Sequence, residues 1–195
     1  MILWTMQPRH IWHMIQETGV YRCDPKKMSS YDTIFSSKYD WLVMQMKERI
    51  GLPPEGVKYP VWAWHTKNWK HRKPDLRSER WCCGSGNEEY VCIEFEVSDE
   101  QVLLSDFDAW SVILCDGLLN SSEKESDQMD AYYDLLPDTE KIAFKNENWR
   151  AVFDVSPMEN DWICRGKWIQ ATTWELRKDM IRDVRFFVTG KRKSN

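Results

Sequence analysis

Residues 59–81 read YPVWAWHTKNWKHRKPDLRSERW, and the way this stretch divides fixes the class of fold. Its first part, Tyr59–His65, alternates as a strand, with Trp62 and Trp64 on one face and Val61 and Ala63 on the other. Both faces are apolar, so the strand belongs to a sheet covered on each side. The second part, Thr66–Trp81, shows no period and contains Pro74, and with the residues as far as Gly86 it predicts a long surface loop. Long loops inside compact domains are usually functional. From Lys58 to Arg80 seven Lys or Arg face only Asp75 and Glu79, a local net of +5 in a chain of −4, which leaves −9 for everything else. A basic, aromatic strip on an acidic body suits a nucleotide or a nucleic-acid segment better than it suits general polyanion binding.

The flanking sequence supplies the other layers. Ile2–Met6 predicts a strand, and Pro8 then opens a helix whose apolar stripe is Ile11, Trp12 and Ile15 and whose stop is Gly19. Helical spacing recurs from Asp32, the expected N-cap, to Ile50, with Gly51 as terminator. Tyr90–Val97 alternates most clearly, with Val91, Ile93, Phe95 and Val97 inward. A short strand, Val102–Leu104, delivers Asp106 and Asp108 at its end, and Trp110–Leu119 predicts a short helix. Asn120–Asp134 is so rich in Ser, Glu and Asp that it reads as a mobile acidic insertion. Asp138 is placed to cap a helix to Phe153 that buries Ile142, Trp149, Val152 and Phe153. Trp168–Leu176 and Val184–Val188 predict two closing strands, followed by the basic tail 191–195. Mixed elements with helices crowded early favour a single α+β domain over residues 1–190, a mixed or antiparallel sheet with several helices packed on it.

At 195 residues one domain is the economical reading, and twelve tryptophans exceed what its core needs, so some are expected at a pocket or groove. No run of about 18 apolar residues is present, which argues against a transmembrane helix. The opening MILWTMQPRHIW lacks a signal-peptide pattern, which makes a cytoplasmic protein the expectation. The six cysteines form no CxxC pair and read as free thiols, and adjacent Cys82 and Cys83 suit one tetrahedral ion poorly, so no metal is expected. Rossmann, P-loop and GxSxG patterns are missing.

LWTMQ at Leu3–Gln7, GVYRCD at Gly19–Asp24, YDWLVMQMKERIG at Tyr39–Gly51, KPDLR at Lys73–Arg77, VLLSDFDAW at Val102–Trp110 and QATTWELRKDMIRDVRFF at Gln170–Phe187 together resemble a bacterial family known as domain of unknown function 3841. The chain also resembles, more locally, the ADP-ribosyltransferase-like domains of DarT type. The carriers are the strand Tyr59–Trp64 leading to Arg72-Lys73-Pro74, the acidic turn of VLLSDFDAW, and the last two strands. That resemblance implies an ADP-ribosyltransferase-like fold and NAD as cofactor. Arg72 and Arg77 would hold the diphosphate, Trp62 and Trp64 would wall the ring, and Thr5, Gln7 and Asp106 would complete the binding set. Catalysis would fall to Gln170 or Glu175, unless the register is displaced or the transferase chemistry is lost. The sequence departs from the pattern where Thr172 occupies the position of the catalytic glutamate, Glu175 falls on the opposite face by alternation, and Thr5 replaces a histidine. A threonine supplies no charge to a cationic transition state.

Two functions follow as expectations. One is NAD-dependent transfer in a Trp- and Arg-lined pocket. The other is a non-catalytic module in which loop 66–81, with Trp69, Trp81, Lys70, His71, Arg72 and Lys73, stacks on and neutralises a single-stranded nucleic acid. No membrane partner is expected, and nothing in the sequence fixes an oligomeric state.

Overall fold

The computed structural model describes residues 1–24, 35–81, 83–84 and 86–190. The expected N-cap Asp32, Cys82 and the basic tail 191–195 lie outside the described residues. The frame is a six-stranded, wholly antiparallel sheet. Its strands are β1 (Ile2–Pro8), β3 (Val61–Lys67), β4 (Glu89–Glu96), β5 (Leu103–Asp106), β8 (Trp168–Thr173) and β10 (Ile181–Val188), in the order β10-β4-β1-β3-β8-β5. Two small ladders sit beside it, β2 (Val20–Tyr21) with β9 (Leu176–Arg177), and β6 (Met158–Glu159) with β7 (Cys164–Arg165). The mixed α+β architecture read from the order of elements is the one the chain adopts.

Alternation decides which residues each side of the sheet receives. Leu3, Val61, Ala63, Val91, Ile93, Phe95 and Ala171 form one aliphatic side, and helix α1 (Arg9–Thr18) closes it with Ile11 and Ile15. Gly19 ends α1 in the left-handed region at φ 80°, its N–H donating to Ile15 O, a conformation glycine adopts at least cost. Pro8 terminates β1 and precedes the helix, one residue earlier than its expected first-turn position, because its lack of an N–H is equally harmless at a strand end.

The other side is aromatic over β3, β8 and β5. Helix α2 (Ser36–Ile50), helix α4 (Phe107–Leu114) and a 3-10 turn at Trp149–Phe153 pack there through Trp41, Leu42, Met46, Trp110, Ile113, Trp149 and Val152, with Leu103 and Trp174. Much of the tryptophan surplus is therefore core. Two of the buried indoles on this side have partners for their N–H, Trp149 donating to Gly117 O at 2.8 Å and Trp174 to Gly51 O at 3.0 Å.

Four expectations change. Residues 66–81 are not irregular throughout: β3 continues to Lys67, a two-residue turn follows, and Asp75 caps a short helix α3 (Leu76–Glu79). The segment expected as a mobile insertion forms helix α5 (Glu123–Leu135). Ser122 Oγ accepts from Glu125 N, and the Glu125 carboxylate returns to Ser121 N, a capping arrangement that outweighs the acidic composition. The helix expected over 138–153 is α6 (Asp138–Asn148) capped by Pro137 and then the 3-10 turn, and this change of pitch turns Ile142 outward to 71% exposure. The two closing strands are not neighbours either, since β10 pairs with β4 and three strands lie between it and β8.

Candidate functional site

Three of the seven Lys or Arg from Lys58 to Arg80, namely Lys67, Lys73 and Arg77, meet acids of their own chain. Asn68 and Trp69 form the two-residue turn with φ of 51° and 65°, closed by hydrogen bonds between Lys67 and Lys70 in both directions. The chain from there to Arg80 is a strap. Lys67 Nζ bonds both Glu79 oxygens at 2.6 Å and lies 4.5 Å from the centre of the Trp64 ring, and Glu79 is buried. Lys73 bridges Asp183 at 2.7 Å and Glu94 at 3.1 Å, and Glu94 also accepts from Trp4 Nε1. Arg77 turns back on Asp75, whose carboxyl it holds down at about 2 through the side-chain and backbone bonds it donates. Arg185 of β10 donates to Pro74 O, fastening the strap's middle. Arg72 and Lys70 make no ion pair among the described residues. Beside the strap the His65 and His71 rings lie 4.2 Å apart. Burial, His71 and the terminal ammonium push the His65 imidazole down to about 4, against a small opposing pull from Asp99.

Strand register assembles part of the expected site. Trp64 stands opposite Gln170, and Gln170 opposite Ser105, while Phe107 packs on Trp64 at 5.4 Å between ring centres. Gln170 Oε1 and the buried Ser105 Oγ have no hydrogen-bond partner among the described residues. Trp62 belongs to the core instead, tilted on Trp110 at 5.6 Å. Thr5, in register with Ile93 and two residues from Leu3, shares their face and so falls on the α1 side, where Gln7 donates to it. Asp106 is 2% exposed and fully engaged, Oδ1 accepting Ala109 N at 3.0 Å and Oδ2 accepting Gly166 N at 2.7 Å. It caps α4 and ties in the β7–β8 turn. Glu175 lies past the end of β8, held by Arg22 at 2.8 Å and facing Arg177 at 3.6 Å, at the corner made by β2 and β9. Gln170 and Glu175 are thus not brought together, and Arg72 and Arg77 belong to the strap.

A large concavity lies elsewhere, beyond edge strand β5. It is a cleft of about 900 Å³ walled by α4, α5 and the β6–β7 hairpin. Ala109, Val112, Leu118, Leu119, Met129, Ala151 and Ile163 give it an apolar floor, and Trp162 stands at its mouth. Asn148 holds one wall by accepting Leu119 N at 2.7 Å and donating to Leu119 O at 2.8 Å. Trp162 Nε1 donates to Asn120 Oδ1 across the mouth. The cleft's one arginine, Arg165, is taken up by Asp154 at 2.7 Å and by Ser156. Asp108 and Asp161 also line the cleft, and neither has an ion pair among the described residues. Burial and the neighbouring Asp106 push the Asp108 carboxyl upward, with Lys167 pulling the other way. Burial and the bond to Glu159 push the Cys164 thiol up, so the cleft presents a thiol rather than a thiolate. Among the described residues no three His, Cys, Asp or Glu are grouped to hold a metal, and no helix is long and apolar enough to cross a membrane. Sequence reasoning missed the cleft because its walls come from four separated segments. The one local signal was Trp162 set among polar residues in a turn.

Fold and cleft together define an α+β domain with one antiparallel sheet and a ligand-sized concavity at its β5 edge. The chain belongs to the family described as Domain of unknown function (DUF3841), which it matches over residues 2–182. No curated protein and no solved structure matches it.

Proposed function

We propose that this is a ligand-binding domain whose guest lies in the cleft between α4, α5 and the β6–β7 hairpin. The observation that carries the proposal is a concavity of about 900 Å³ whose lining combines apolar side chains with carboxylates and amides, as small-molecule sites combine apolar surface with polar groups that fix orientation. The test is a fragment screen read on the methyl resonances of Val112, Leu119, Met129 and Ile163. Fragments should shift these signals and lose their effect in an Ala151→Trp variant, where the indole fills the space. Fragments that map elsewhere and ignore Ala151→Trp would remove the cleft from consideration.

NAD-dependent transfer draws its support from the resemblance and from the Trp64–Gln170–Ser105 row with its two unpartnered polar atoms. Against it stand the engagement of Glu175 by arginines and that of Arg77 by Asp75. Nicotinamide release from NAD above that of a Gln170→Ala variant would favour it over the cleft. The nucleic-acid reading rests on one observation, the exposed Trp69 at the tip of a left-handed turn beside Lys70 and Arg72. Oligonucleotide binding that weakens with salt and disappears in Trp69→Ala would support it.

A further inference from the structure

The chemistry of the guest follows from the balance of charge at the cleft, and this inference rests on the cleft being the binding site. The acids lining the cleft fall into two groups. Asp106 and Glu125 are occupied by hydrogen bonds from Ala109, Gly166 and Ser121. Asp108 and Asp161 have no ion pair among the described residues. The opposite charge is scarcer: Arg165 already serves Asp154, and Lys167 acts on Asp108 only at longer range. A phosphate or carboxylate entering here would meet unneutralised carboxylates and no available donor cation. A cation would meet the reverse.

We infer that the cleft takes a small amphipathic cation, an amine or guanidinium on an apolar body, with the charge at Asp108 and Asp161 and the body on Val112, Leu119 and Ile163. The placement of Asp108 helps, because a carboxylate partly removed from water gains most from a partner that restores its charged form. The floor supplies attraction without direction, and the two carboxylates supply direction.

Three probes of one size and different charge test this at pH 7.5: 2-phenylethylamine, 2-phenylethanol and 3-phenylpropanoate, titrated by NMR. The amine should bind about tenfold more tightly than the alcohol, and the carboxylate should be weakest, in line with charge-assisted bonding at a partly wet site. In Asp108→Asn/Asp161→Asn the amine should fall to within about twofold of the alcohol while alcohol binding persists. Equal binding of amine and alcohol to the native protein overturns the charge rule, as does tighter binding of the carboxylate or no saturable binding of the amine. A capped lysine-containing tetrapeptide binding about tenfold better than the amine also overturns it, in favour of a peptide guest. If Ala151→Trp or Val112→Trp abolishes alcohol binding while charge makes no difference, the cleft stands and this inference falls. If neither filling variant affects any probe, both fall together.

Discussion

The strap from Asn68 to Arg80 and the cleft beyond β5 hold opposite charges, and the cations that fasten the strap are matched while two carboxylates of the cleft are not, among the described residues. Of the cations on and beside the strap, Lys67 at the end of β3 and Lys73 and Arg77 within the strap are each matched by an acid within about 3 Å, whereas Lys70, Arg72 and Arg80 have no ion pair among the described residues. The cleft draws on an unremarkable run of sequence, yet Asp108 and Asp161 remain without an ion pair among the described residues. A conspicuous charge pattern in a chain records where charge is, and folding determines whether it is already spent. Ion pairs that fasten a segment to a sheet are structural elements, and unmatched charges beside a concavity are the better indication of a partner.

The sharpest way to break this contrast is at Lys67 and Glu79, the most buried pair of the strap. Glu79→Ala should cost about 3 kcal/mol in urea denaturation, since it leaves the Lys67 ammonium enclosed beneath Trp64 without a counter-charge. Lys67→Met/Glu79→Leu should recover most of that loss. A cost below about 1 kcal/mol for Glu79→Ala would mean the strap is not fastened there.

A smaller effect is expected from acid. The His65 ring is favoured neutral in the fold, since its value is lowered from 6.5 to about 4, so protons bind the unfolded chain more readily. Its contribution to stability is full above pH 6.5 and drains away as pH falls toward 4. After discounting for a half-solvated ring the loss is on the order of 1 kcal/mol. The measurement is the difference between the native protein and His65→Phe over that window. Parallel pH profiles would show that the ring carries no such linkage.

The smallest effect marks the strap's outer limit. Arg77 is 91% exposed and pairs only with nearby Asp75, so Arg77→Ala should leave the denaturation midpoint and fragment binding at the cleft unchanged within error. A clear loss of binding there would join strap and cleft into one site and dissolve the comparison.

Period-two alternation made much of the fold legible. Tyr90–Val97 and Tyr59–His65 were read with the correct faces, because a strand buried on one or both sides must repeat at two residues. What alternation cannot convey is the order of strands. The last two strands are close in sequence, and β10 nevertheless crosses to β4, since its Val184 completes the aliphatic side that α1 covers. The α5 segment was misread from composition because a single cap, Ser122 with Glu125, outweighs a run of charge. For the site, strand register sets Trp64 opposite Gln170 and Gln170 opposite Ser105, one residue before Asp106, a juxtaposition that no single segment of sequence displays. Nor could the sequence place Glu175, whose fate is decided by Arg22 from a segment more than a hundred residues away.

The position of β1 also bears on how the chain acquires its form during synthesis. This first strand ends up in the middle of the sheet, between residues 61–67 and 89–96, so it emerges long before either partner exists. α1 packs against the side that β1 shares with β4, and so it cannot complete its burial early either. The nascent chain must therefore carry this tryptophan-bearing strand unpaired until residues 61–67 emerge, and paired on one edge only until residues 89–96 follow. Assembly dominated by such distant pairings is slow and exposes sticky surface. Expression at reduced temperature, or with a holding chaperone, should raise the yield of folded protein more than any change made to the surface of the finished domain.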